Sequence, residues 1–139
     1  MRVLGLDIGT KNIGVALSDE LGILAQGKEV ILRKSDKYAI ARIKEIVEEF
    51  GVGKIVAGLP INMDGSKGAR AEDSERFSGK IEKEISVPVI LWDERLSTKE
   101  AEDVMIRADI SRKKRKKVID KVAAQLILQG YLDSEFKRE

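Results

Sequence analysis

Val3-Leu-Gly-Leu-Asp-Ile-Gly-Thr-Lys-Asn-Ile-Gly-Val-Ala-Leu-Ser-Asp19 is the stretch that decides the fold. Val3, Leu4, Leu6 and Ile8 read as one strand, and Ile13, Val15, Ala16 and Leu17 as a second. Gly9, Thr10, Lys11 and Asn12 between them are turn chemistry, so the pair is expected to form a β-hairpin. Asp7 interrupts the first apolar run. A carboxylate there loses several kcal/mol of hydration unless a cation, a metal ion or strong donors replace the water. Gly5, Gly9 and Gly14 strip side chains from its surroundings and let another backbone or a phosphate come close. The plainer alternative is an aspartate paired with Lys11 or held by turn amides.

Outward from the hairpin the pattern continues with a third strand, Ile23 to Leu32, and then alternates. Lys37 to Phe50 carries Ile40, Ile43, Val47 and Phe50 at helical spacing, with Ser35 or Asp36 as N-cap and Gly51 as stop. Lys54 to Pro60 is nearly all apolar, as for a strand in the covered interior of a parallel sheet. The small-residue loop Gly65 to Arg70 precedes a charged helix with Phe77, Ile81 and Ile85 on one side. Val87 to Trp92 reads as the fifth strand, running into Asp93, Glu94 and Arg95. Ser97 and Glu100 have capping-box spacing for a helix with Ala101, Val104 and Met105. The last helix is expected to bury Val118, Ile119, Val122, Ala123, Leu126 and Ile127. A β-β-β-α-β-α-β-α order predicts one α/β domain, a mixed sheet with helices on its faces.

Composition narrows the chemistry. The 139 residues contain no cysteine and no histidine, which rules out disulfides, thiolate metal sites, His-based triads and imidazole ligands. Acid–base or metal chemistry must therefore use carboxylates, lysine, tyrosine or hydroxyls, and carboxylates with water suit Mg or Mn. No apolar run approaches the roughly 20 residues of a membrane span and no signal-peptide pattern opens the chain, so a cytoplasmic protein away from membranes is expected. Net charge is only +2, but Arg112, Lys113, Lys114, Arg115, Lys116 and Lys117 are consecutive. Such a run is either a phosphate-binding patch for nucleic acid or a solvated, lysine-rich helix start.

Sites in parallel sheets form beyond the carboxyl ends of the strands. Asp7 lies late in the first strand, the loop holding Asn62 and Asp64 follows the fourth, and Asp93 and Glu94 close the fifth. Asp120 sits on the last helix, about 90° from the centre of an apolar stripe placed near Val122 to Leu126. Each has an ordinary alternative: turn chemistry for Asp64, a local ion cluster for Asp93, Glu94 and Arg95, and a first-turn carboxylate for Asp120. Together they suggest carboxylates sharing a divalent cation, which activates water and stabilises the leaving oxygen of a phosphodiester without histidine.

The blocks Gly5 to Asp19, Gly58 to Ser66, Asp93 to Thr98 and Asp120 to Asp133 resemble the YqgF (RuvX) family of the ribonuclease H-like superfamily, in the family's order and over essentially the whole chain. The resemblance implies a five-stranded mixed sheet ordered 3-2-1-4-5. It also implies a Mg- or Mn-dependent nuclease acting on the 5′ end of pre-16S ribosomal RNA, with Holliday-junction resolution for some members. Asp7, Glu94 and Asp120 match the family's metal-binding, catalytic carboxylates; Asp93, Asp64 and Asn62 are secondary candidates, and Lys11, Arg95 and the run Arg112 to Lys117 are candidate nucleic-acid contacts. One tension is internal to the pattern. Glu94 must reach Asp7 across two strand spacings of about 4.8 Å each, because the fourth strand ends in Gly58-Leu-Pro60 with no acid. Two other classes compete. A sugar-kinase-like phosphate loop would need a second lobe, for which 139 residues leave no room; a non-catalytic ribosome-assembly factor would need the basic run but not the carboxylates.

Overall fold

The hairpin forms as its alternation dictates. In the computed structural model, which describes residues 1–94 and 112–138, β1 (Arg2–Ile8) and β2 (Asn12–Ser18) pair antiparallel with Asp7 opposite Gly14. β3 (Ala25–Leu32) adds to β2, while β4 (Val52–Leu59) and β5 (Val89–Asp93) run parallel to β1 on its other side. The sheet order is β3-β2-β1-β4-β5, which is the order the family resemblance implies.

Period-two alternation sorts the sheet into two cores. Leu4, Leu6, Ile8, Ile13, Val15, Ile55 and Ala57 face α1 (Asp36–Phe50) and α2 (Ala69–Glu84), where Ile43, Ile46, Phe77 and Ile81 are fully buried. Ala16 and Val56, on the other face, pack under α3 (Arg112–Arg138) with Ala124, Ile127, Leu128, Tyr131 and Leu132. Asp7 shares the parity of this second face. Among the described residues no helix is long and apolar enough to cross a membrane.

Helix α1 starts and stops on the expected signals. The Ser35 hydroxyl accepts from the Tyr38 N–H at 3.1 Å, and Gly51 takes the left-handed conformation (φ 61°) in which its own N–H reaches the Val47 carbonyl. Other boundaries move for identifiable reasons. β3 begins at Ala25 rather than Ile23, because Asp19 Oδ1 takes the Ile23 and Leu24 amides at 2.8 and 3.3 Å and folds them into the connecting turn. β4 begins at Val52. β5 begins at Val89, after Pro88, whose missing N–H leaves only its carbonyl to pair, with Ile55 N–H at 2.9 Å. The expected helix around Ser97 to Met105, and Arg95 with it, lies outside the described residues.

The last helix keeps Ala123 and Ile127 of the expected stripe and shifts the rest, with Val118 and Ile119 lying outside the residues whose side chains are described. Its buried face is Ala123, Ala124, Ile127, Leu128, Tyr131 and Leu132, whereas Val122 and Leu126 are only half-buried. The cause is the sheet beneath. Small residues on β1 to β3, Gly5 and Gly14 among them, let the helix backbone descend at Asp120, Ala124 and Leu128, which sets the face that is buried. Asp120, one turn before Ala124, is half-buried, at the margin of this seam.

Candidate active site

Asp7 stands between two glycines on neighbouring strands, and each admits a different partner. On β2 its opposite number is Gly14, where a Cβ would overlap the carbonyl oxygen of Asp120. The start of the buried part of α3 is therefore seated directly on the strand beside Asp7. On β4 the ladder reaches Leu6 opposite Ala57, and the next residue is Gly58. A Cβ there would lie 2.6 Å from Ile127 Cδ1 and 3.1 Å from Glu94 Oε2. Glycine at 58 opens the path by which Glu94 crosses the width of β4. This resolves the two-strand distance that the sequence left as a tension.

Parity separates Glu94 from its neighbour. Trp92 packs on the α3 face beside Tyr131 and Gly130, and Glu94, two residues on, lies against Gly58 of that face. Asp93 pairs with Leu59 in the ladder and has the opposite parity. Glu94 is only 8% exposed, an unusual degree of burial for a glutamate. Asp7 Oδ1 is fully buried with no hydrogen-bond partner among the described residues. The Asp7 carboxyl is pushed up to about 8, first by burial, then by the charge of Glu94 and a hydrogen bond shared with that carboxyl, against a weaker pull from Arg70.

Two carboxyls held together out of water at the carboxyl edge of a sheet are an arrangement that a divalent cation stabilises and that its absence strains. The donor set fits a hard, oxygen-preferring ion. Among the described residues no three acidic side chains already stand at ion-holding distance. The backbone of Asp120 lies over Gly14, the residue opposite Asp7 on β2, and its side chain is half-buried there.

The remaining candidates divide. Asp64 and Asn62 belong to a tight turn: Asp64 Oδ1 accepts from the Ser66 amide at 2.9 Å and its hydroxyl at 2.6 Å, and Asn62 Nδ2 donates to Ser66 Oγ at 3.1 Å. Those Ser66 contacts hold the Asp64 carboxyl below its usual range. Lys11 is exposed in the hairpin turn. Arg112 to Lys117 form the opening turns of α3, whose helix carries Asp120 three residues further on.

Two residues escaped the sequence reading. Arg33, whose side chain is only 7% exposed, donates to the Gly9 carbonyl at 2.9 Å and bidentately to Asp73 at 2.7 and 3.0 Å, while its Nε reaches Asp36 at 3.0 Å. It locks the turn after Asp7 to α2. Arg70, in the first turn of α2, is exposed yet reaches Asp7 with its charge. An arginine directly after a strand end was the available signal for Arg33, and one just past a glycine-rich loop for Arg70.

If Gly58 exists to admit Glu94, Gly58→Ala should push the Glu94 carboxyl and the Ile127 methyl away. We expect metal affinity to fall about tenfold or more, with a stability loss of roughly 1–3 kcal/mol from overpacking. Titrating Mn into the variant and the parent checks this, and an unchanged affinity would remove Glu94 from the site.

A sheet of order 3-2-1-4-5, with an acidic pair at its carboxyl edge and a long helix laid over one face, defines a ribonuclease H-like fold. The chain belongs to the RuvX family, whose profile, described as Holliday junction resolvase, matches residues 1–134. A relative from Geobacillus kaustophilus (strain HTA426), named "Putative pre-16S rRNA nuclease", is 58% identical over 137 residues, 97% of this chain and 99% of its own. A Bacillus subtilis (strain 168) relative of the same name is 54% identical over 136 residues, 96% of this chain and 99% of its own. Among solved structures, T. thermophilus RuvC in complex with Holliday junction substrate matches with a TM-score of 0.62 at 18% identity, over 99% of this chain and 96% of that one. The Fowlpox virus resolvase with substrate Holliday junction DNA gives 0.60 at 16% identity, over 97% of this chain and 99% of that one. At these identities the likeness is one of fold.

Proposed function

We propose that this chain is a nuclease that depends on Mg or Mn and processes the 5′ end of pre-16S ribosomal RNA, with Asp7, Glu94 and Asp120 as metal-holding, catalytic carboxylates. The observation that carries the reading is the buried Asp7–Glu94 pair, with Asp7 pushed up to about 8. A stability-driven design would not bury two neighbouring carboxyls with an oxygen left unpaired. A bound divalent cation would supply activation of water and stabilisation of the leaving oxygen. The chain's own task is to hold three carboxyls at the sheet edge, release the Asp7 proton as the ion enters, and present cations to the phosphates. The curated relatives' names favour ribosomal RNA as substrate, and that substrate implies a cytoplasmic protein.

Arg112, Lys113, Lys114, Arg115, Lys116 and Lys117 are proposed to grip the nucleic-acid backbone, with Lys11 and Arg95 as further contacts. At about 1.5 Å of rise per residue, the run ends only ~4.5 Å along the axis from Asp120 and begins ~12 Å from it. Neutralising four of the six residues should flatten the dependence of log affinity on log salt by about 0.7–0.9 per lost phosphate contact, for all sequences alike. An unchanged slope in a salt titration would make the run a solvated helix start.

The test of the function is cleavage of a structured RNA spanning the 16S 5′ end and of a four-way DNA junction, each with Mg and with Mn. Metal-dependent cutting of the RNA at the mature end supports the reading. Cutting of the junction alone would transfer the assignment to Holliday-junction resolution, the description attached to the family profile. Binding without cutting of either would make the chain a non-catalytic assembly factor.

A further inference from the structure

We propose that Arg70 is the cation that clamps the phosphate undergoing cleavage, facing the carboxylates from the opposite side of the site; this rests on the nuclease reading above. Its position is the first turn of α2, beyond the carboxyl end of β4 and the Asn62–Ser66 turn. That turn is tied internally by Asn62 N–H to the Ser66 carbonyl at 2.9 Å and Gly65 N–H to the Asn62 carbonyl at 2.8 Å. The start of α2 is therefore delivered from a fixed point.

What distinguishes Arg70 is that its natural partner is engaged elsewhere. On a helix, Asp73 at i+3 would ordinarily pair with it. Both Asp73 oxygens are instead taken by Arg33, at 2.7 and 3.0 Å, and one of them also by Arg76. The other arginines with described side chains have acidic partners: Arg2 with Glu20, Arg33 with Asp36 and Asp73, Arg42 with Glu29 and Glu45, and Arg76 with Asp36 and Asp73. Arg70 has no ion pair among the described residues and is exposed, and its charge acts on the Asp7 carboxyl. The same Arg33 that occupies Asp73 also binds the Gly9 carbonyl, so the helix bearing Arg70 and the turn following Asp7 are held as one unit.

A guanidinium suits this place. It stays charged at any working pH and offers paired donors matched to two phosphate oxygens. A second role is to offset carboxylate repulsion before the ion arrives. The two roles part experimentally.

The wild-type full chain, Arg70→Gln and Arg70→Lys would be titrated with a fluorescent RNA hairpin, and with a four-way DNA junction, at several KCl concentrations and in EDTA. Mn binding would be measured separately without nucleic acid. A phosphate clamp predicts that Arg70→Gln loses about tenfold in affinity and flattens the salt slope by about 0.7–0.9. Arg70→Lys should keep the slope but not recover the affinity, since one point charge replaces two directed donors. Arg70→Gln with unchanged affinity and slope, and merely tighter Mn binding, would overturn the clamp and leave only charge balance. Failure of the wild type to bind either probe would overturn it as well. None of these readings needs cleavage, so an inactive wild type would refute the nuclease reading while the difference in slope still decided the role of Arg70.

Discussion

Asp7→Asn is expected to lower the rate of phosphodiester cleavage by at least about a thousandfold while leaving the protein folded. Asparagine matches aspartate in size but removes the charge that attracts a divalent cation. Several kcal/mol of transition-state stabilisation go with it, at about 1.4 kcal/mol per decade of rate. Nucleic-acid affinity should survive or rise, because a negative charge leaves a place that receives phosphate. Cleavage at the parent rate on either RNA or junction, with Mg or Mn, would sink the assignment of Asp7.

The same substitution has a second expected effect, of opposite sign. Asp7 is raised from 3.8 to about 8 in the folded chain. Folding therefore favours its protonated form. The associated stabilisation is complete below pH 3.8 and is lost as the pH rises through 8, by up to about 1.4 kcal/mol per pH unit. The metal-free parent should melt progressively earlier between pH 5 and 8.5, relative to Asp7→Asn, and the difference between the two cancels contributions of other groups. Because a cation must displace the proton, Mn affinity of the parent should also rise by up to tenfold per pH unit below 8. A parent and variant whose melting temperatures run parallel over this range would mean that Asp7 is not held protonated.

The strand positions were legible because Leu4, Leu6, Ile8, Ile13, Val15 and Leu17 recur at period two and share one face, while Val3 and Ala16 belong to the second core on the other. That acids gather at the carboxyl ends of the strands was legible from the pattern, but the choice of Glu94 beside Asp7 came only from the resemblance. What carries it physically is Gly58, and a glycine at a strand end gives no sign of which side chain will cross it. Asp93 and Glu94 are equal candidates by composition; only the register Gly58 to Trp92 and Leu59 to Asp93 separates them. The buried face of α3 was legible in part, at Ala123 and Ile127, and the rest was not for a related reason. A helix pattern counts the large apolar residues, Val122 and Leu126 among them, yet the contact is made where Gly5 and Gly14 let the backbone descend at Asp120, Ala124 and Leu128. The position of Arg33 after a strand end was a signal, but its role was not legible because its partners, Gly9, Asp36 and Asp73, come from three separate segments.

That dependence of the site on absent side chains makes Gly14→Ala the most damaging small substitution to be expected in the fold. Gly14 is not among the described glycines with a left-handed backbone, which are Gly22, Gly51 and Gly65. Its requirement is one of space, not of φ. The atom that a Cβ would overlap is the Asp120 carbonyl oxygen, part of a helix backbone rather than the tip of a flexible chain. Neither β2, paired on both sides, nor α3, anchored by Gln129 Oε1 on the Ala25 amide at 2.8 Å, gives way locally. Helix α3 has to lift at its Asp120 end, loosening Ala124, Ile127 and Leu128 from the sheet. The cost should reach about 3 kcal/mol, the upper range for overpacking. Gly79→Ala is the control: it lies within α2 with nothing within 4 Å of its Cβ position, and the gain in helix propensity should stabilise by up to about 1 kcal/mol. Urea unfolding of the three proteins measures both. The lift also moves Asp120 away from Asp7, so the folded fraction of Gly14→Ala should bind Mn more weakly, an effect that Gly79→Ala lacks. If Gly14→Ala kept the parent's stability and its Mn affinity, α3 would not be seated on β2 at this height, and Asp120 would lose its place in the site.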